Sequence, residues 1–118
     1  MIAIPSLIDE LAAANDSQVL ALIALHSLTL DTIYDLKDFS TKFYSSNPTY
    51  ACHIGEQALK LGHHLPSPAS TVASWTLGNA LLFANQYASA FPLFESARNE
   101  FLQADDSLNA ARLSVGYV

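Results

Sequence analysis

Apolar residues recur along this chain at three- and four-residue intervals, interrupted by short polar clusters. That spacing predicts amphipathic helices. Leu7, Ile8, Leu11 and Ala14 share one side of a first helix opening at Ser6, where Asp9 and Glu10 meet free N–H groups and the helix dipole. Asn15-Asp16-Ser17 breaks this helix and caps a second, running from Gln18 to about Ser27. Its segment Val19–Leu25 is apolar nearly all round, which predicts cover on more than one side. The Leu and Ala content favours helix over a buried strand there. A third helix is expected from Thr29 or Leu30 to Ser45. Asn47 as N-cap and Pro48 at the first helical position open a fourth, which runs to about Gly62. His63-His64-Leu65-Pro66 reads as a loop, and Ser67-Pro68 repeats the cap-plus-proline signal at the start of a fifth. A tight turn at Asn85-Gln86 leads to a sixth helix from near Tyr87. Asp105-Asp106-Ser107 ends that helix and caps a seventh. The pattern predicts an all-α chain of about seven helices in antiparallel pairs, forming one structural domain.

The fifth and sixth helices carry a more specific signal. Counted from Thr71, Leu77, Gly78, Leu81, Tyr87, Ala90, Phe94 and Ala97 fall at positions 7, 8, 11, 17, 20, 24 and 27. Gly78 and Ala90 are small, so two helices can approach closely, and Phe94 and Leu81 fill the space beside that contact. In these residues the segment 71–104 resembles the tetratricopeptide repeat, a helix–turn–helix unit of about 34 residues. Ser74 and Leu102 depart from the pattern at positions 4 and 32, and the tryptophan comes one place late, at Trp75. A weaker copy places Leu36, Phe39, Ser40 and Phe43 at positions 4, 7, 8 and 11. With a turn one residue shorter, Ala51, Gly55 and Ala58 follow at 20, 24 and 27. Gly55 stands where an aromatic is usual, which predicts room that a neighbour must fill. Val115-Gly116 opens a third, truncated copy, so that Ser40, Gly78 and Gly116 recur every 38 residues. The resemblance implies a right-handed TPR-like α-solenoid over 29–118, with residues 1–28 as N-terminal capping helices. The arrangement is similar to the N-terminal repeats of bacterial TPR/CHAT-type multidomain proteins. It implies a segment of a larger bacterial protein.

Bulk properties narrow the function. The chain is 51% hydrophobic and 14% charged, a composition that folds. A net charge of −6 with five Lys and Arg argues against nucleic-acid binding. A single cysteine, Cys52, leaves no internal disulfide framework and suits a reducing, cytoplasmic setting. No basic residue precedes the apolar part of the N-terminus, so a signal peptide is not expected. The longest apolar run, Val19–Leu25, is too short for a membrane span.

Candidate chemistry is sparse. Cys52-His53 and His63-His64 are adjacent pairs, and neither has the i,i+4 spacing of a helical metal chelate. Cys52 beside His53 lacks an evident third group to orient a base. Asp31, Asp35 and Asp38 read as a solvated face. No metal, cofactor or catalysis is expected. The resemblance instead implies a concave groove lined by the first helix of each copy. That gives Tyr34, Lys37, Thr41, Tyr44 and Ser45, then Val72, Trp75, Asn79, Leu82 and Phe83, and then Ala110, Leu113 and Tyr117. Lys37 matches one cation of the carboxylate clamp found in some TPR proteins, whereas Thr41 and Trp75 depart from it. An aromatic strip with amide and hydroxyl groups suits a protein or peptide partner. A strip covered by the N-terminal helices would instead be core. A pocket where those helices meet Trp75 would suit a small ligand. A last expectation concerns Leu93, Ala97, Phe101 and Ala104 with Ala111, Val115 and Val118. This stripe at the C-terminal end is expected to join two copies as a homodimer.

Overall fold

Local capping chemistry sets several helix starts in the computed structural model, which describes residues 2–117 and their side chains as far as Leu113. All regular structure among these residues is α-helical: α1 (Ile4–Ala13), α2 (Asp16–His26), α3 (Leu30–Thr41), α4 (Pro48–Gly62), α5 (Ala69–Phe83), α6 (Tyr87–Gln103) and α7 (Ser107–Tyr117). At α4, the Asn47 side chain accepts from the Tyr50 N–H at 3.1 Å, and Pro48 takes the first position as expected. At α2, Asn15 and Gln18 form a reciprocal capping box, with backbone-to-side-chain bonds of 2.9 and 2.8 Å. Asn85 and Asp105 turn the chain between α5, α6 and α7 at φ 61° and 58°, a left-handed region that short polar side chains tolerate. The Asp106 side chain then accepts from the Asn109 N–H at 3.2 Å and caps α7.

Three boundaries differ from expectation. α1 opens at Ile4 with Pro5 in its first turn, not at Ser6, because the fixed φ of proline is already helical there. α3 ends at Thr41, short of Ser45. Lys42, Phe43 and Tyr44 then donate to carbonyls three residues back, which tightens the chain into a turn. At α5 the N-cap is Pro68, and no side chain caps the helix, so Ser67 does not play the expected part.

The packing grows outward from α4 and α5. α5 packs against α3, α4 and α6. α4 also packs against α3, α7 lies along α6, and α1 rests on α3 and α4. Lys60 of α4 reaches the Leu11 carbonyl at the end of α1, at 2.6 Å. The core is built from Leu7, Ile8 and Leu11 of α1, Ile33 and Leu36 of α3, Ile54 and Leu61 of α4, and Phe94 and Phe101 of α6. Small residues let α4 and α5 come together. Ala51, Gly55, Ala58 and Gly62 are all buried on one side of α4. A Cβ at Gly55 would lie 2.8 Å from the Leu77 Cα, and one at Gly62 would lie 3.0 Å from the Ser70 Cα. The room expected at Gly55 is filled by a neighbour, as the sequence predicts, and that neighbour is the backbone of α5.

α2 also corrects its expectation. Only Val19 is buried along it, while Leu20 is 54% and Leu25 75% exposed. Periodicity could not place its covered side because α2 is apolar around most of its circumference. No single described helix is long and apolar enough to cross a membrane. The side chains of the expected third copy, Val115-Gly116, and the groove residue Tyr117 lie outside the described residues, as does Val118.

Candidate functional site

α3 and α5 pack together, and two pairs of expected groove residues meet across them, Lys37 with Trp75 and Tyr44 with Phe83. The structure divides that strip in two. Towards the start of α5, Val72 is fully buried and Trp75 is only 8% exposed. The Trp75 ring meets Phe101 edge-on at 6.0 Å between centroids, and the Lys37 ammonium sits 4.4 Å from the tryptophan ring centroid. Ala110 and Leu113 of α7 are buried as well. This half is core. Its cover includes Lys37 and Phe101, while α1 rests on α3 and α4 instead.

The other half is open. Tyr44 stacks on Phe83 at 4.5 Å between centroids with 20° between planes, and Phe83 is 53% exposed. Beside this stack, Asn79, Leu82, Phe83 and Tyr87 line a depression of about 340 Å³. Tyr34 and Leu82 are half-buried, and Thr41 and Ser45 are exposed. The Thr41 hydroxyl is turned inward on its own helix, donating to the Lys37 carbonyl at 3.0 Å. Tyr87 is not among the expected groove residues, because the resemblance draws those from the first helix of each copy and Tyr87 opens α6. Its stack with Phe91, four residues on at 6.2 Å, was the available signal.

Burial shifts two groups on this face. Burial lowers the Lys37 pKa, Asp38 opposes that shift, and Arg112 of α7 adds to it. An ammonium held against an indole keeps part of its stabilisation through the ring quadrupole instead of water. Burial raises the Tyr44 pKa, and the neighbouring polar side chains of Thr41, Asn79 and Ser40 partly offset the rise. The Tyr44 hydroxyl is closed off from solvent, and among the described residues no partner meets it in hydrogen-bond geometry. A raised tyrosine pKa leaves stability intact below the unfolded-state value, about pH 10, and removes it as pH rises through the folded value. Tyr44→Phe keeps the ring stack and removes the orphan hydroxyl. Urea melts at neutral pH are expected to show no loss, or a gain of up to about 1 kcal/mol. Above about pH 10 the variant is expected to lose stability less steeply than the parent.

The remaining candidates do not converge. Burial, with a smaller contribution from Glu56, raises the Cys52 pKa and so disfavours the thiolate. His53 stacks on Tyr50 at 6.2 Å. His64 pairs with Asp16 at 3.2 Å, linking the turn after α4 to the start of α2. Among the described residues, no three His, Cys, Asp or Glu side chains are placed to hold one metal ion.

No protein-family model matches this chain, and neither a curated protein nor a solved structure does.

Proposed function

We propose that this chain is a non-catalytic helical-repeat module that binds a protein or peptide segment on the open half of the α3/α5 face. The reading takes α3–α4 and α5–α6 as antiparallel pairs of a short right-handed solenoid similar to the tetratricopeptide repeat, with α1 and α2 at its N-terminal end. Two contacts support that register. The hydroxyl of Ser40, at position 8 of the first copy, donates to the carbonyl of Ala51, at position 20, at 3.2 Å. Gly78, at position 8 of the second copy, faces the ring of Phe94, at position 24. Such a module would serve as an adaptor or sensor segment of a larger cytoplasmic bacterial protein.

The observation that carries the binding site is the exposed Tyr44–Phe83 stack beside the depression of about 340 Å³. Aromatic rings flanked by an amide give large contact area at low conformational cost. The open mouth suits an apolar side chain of a peptide better than an enclosed small ligand. A random peptide library selected against the chain tests this. Enriched peptides are expected to shift the NMR resonances of Tyr44, Asn79 and Phe83. Phe83→Ala, at an exposed position, should weaken their binding about tenfold or more while leaving the fold intact. Peptides that bind Phe83→Ala as well as the parent would remove the site from this face.

A further inference from the structure

We propose that the outer face of α2 pairs with α2 of a second copy of the chain, antiparallel about a two-fold axis between Leu22 and Ile23. Past the polar first turn, where Asp16, Ser17 and Gln18 are exposed, the exposed face of α2 is formed by Leu20, Ala21, Ala24 and Leu25. Read in either direction the order is the same: large, small, small, large. An antiparallel two-fold pairing centred between Leu22 and Ile23 sets Leu20 opposite the partner's Leu25 and Ala21 opposite the partner's Ala24. The alanines fall at the crossing, where small side chains let helix axes approach, and the leucines pack on either side of it. A two-fold interface needs a surface complementary to itself, and this sequence symmetry supplies one. A depression of about 350 Å³ lies alongside, between α1 and α2, lined in part by Ala13, Ala14, Ala21, Leu22 and Leu25. Leu25 forms one wall of it, so the partner's Leu20 would pack at its edge.

Charge permits the same face without singling it out. The chain carries a net charge of −6, so two copies repel wherever their acidic surfaces meet. From Ser17 to Leu30 there is no Asp, Glu, Lys or Arg. Pairing through α2 therefore avoids that repulsion apart from Asp16 at the helix start, although residues 61–94 form a longer stretch free of these charges. An eleven-residue helix is about 16 Å long, so the contact falls short of the roughly 800 Å² per partner of a standard interface. The dimer is accordingly expected to be reversible and concentration-dependent.

Sedimentation velocity across a concentration series tests the pairing on the full chain. The parent is expected to shift from monomer to dimer. Leu20→Lys and Leu25→Glu, both at exposed positions, should each weaken the dimer at least about tenfold with unchanged circular dichroism. Mixing the two variants should restore it. In the mixed pair the introduced lysine of one copy faces the introduced glutamate of the other, and the second leucine pair is intact. A parent that stays monomeric at the highest concentration overturns the proposal, and so does a mixture that shows no recovery. A dimer that persists in both variants places the contact elsewhere, for example at exposed Leu102 and Leu108, and also overturns it. Flotation of a monomeric parent with phosphatidylcholine vesicles, lost in the same variants, would assign the face to lipid and not to a second copy.

Discussion

Gly55→Leu is expected to abolish folding at ambient temperature, and Gly55→Ala to lower stability by about 1–3 kcal/mol. The ordinary effect of Gly→Ala within a helix is opposite in sign, a gain of about 1 kcal/mol from reduced backbone freedom in the unfolded chain. The reversal comes from what the new Cβ meets. It would lie 2.8 Å from the Leu77 Cα and 3.1 Å from the Leu77 backbone nitrogen. A rotamer change cannot relieve a clash with backbone, so α4 and α5 would have to separate along their whole contact. That contact also includes Gly62, whose added Cβ would lie 3.0 Å from the Ser70 Cα. Gly62→Ala is near the end of α4, where the chain yields more easily, and should cost less than Gly55→Ala. Urea denaturation of the three variants gives the ranking. A Gly55→Ala protein as stable as the parent would mean that α4 and α5 do not approach this closely.

The same position shows why part of the fold was hard to read from sequence. Asn47-Pro48 acts through its own backbone, so the start of α4 was legible from two adjacent residues. Asn85 and the Asp105-Asp106 pair are equally local, and the turns they predict are where they were expected. Helix separation is a property of two segments at once. Gly55 was read as the loss of an aromatic, whereas its role depends on Leu77, which lies in another helix. A stripe was nevertheless present in the sequence, since Ala51, Gly55, Ala58 and Gly62 recur at four-, three- and four-residue spacing.

α2 illustrates the opposite problem. Its pattern carries little directional information, because leucine, isoleucine, valine and alanine occupy nearly every position around it. Which side is covered then depends on where α1 and α3 lie, and these leave Leu20 and Leu25 outside. The expected groove strip does not share one depth. Family positions named Val72, Trp75 and Phe83 together, yet the first two are core and the third is at the surface. The one-place offset of Trp75 from the usual position goes with its contacts to Phe101 and Lys37. The residues of the expected C-terminal stripe likewise differ in exposure. Leu93 is half-buried and Ala104 and Ala111 are exposed, but Ala97 and Phe101 are buried within the chain itself, whose α7 lies along α6. Val115 and Val118 of that stripe lie outside the described side chains.

Phe94→Ala is the second change expected to have a large effect, costing about 3–5 kcal/mol. Phe94 and Phe101 are the largest fully buried side chains in the core, and a domain of this kind has only about 5–15 kcal/mol in total. Deleting the ring removes its burial and leaves a cavity at the contact between α5 and α6. The informative experiment pairs this position with Gly78. A Cβ at Gly78 would lie 3.3 Å from Cε1 and Cζ of Phe94, tight but against a ring edge that can shift. In the parent, Gly78→Ala therefore sets a strain against the helical gain of about 1 kcal/mol and should change stability little. In a Phe94→Leu background the ring is gone, the strain vanishes, and the same substitution should stabilise by about 1 kcal/mol. The double-mutant cycle is thus expected to show a coupling within the range of about 0.5–3 kcal/mol found for residues in contact. Gly78→Leu has no such escape and should be severely destabilising, because four heavy atoms must enter space filled by the ring. Two results would reject the assigned pairing of α5 with α6. One is additivity within about 0.3–0.5 kcal/mol. The other is a Gly78→Leu loss below about 1 kcal/mol. In either case the repeat register would fail, and the proposed face would stand on the Tyr44–Phe83 stack and its depression alone.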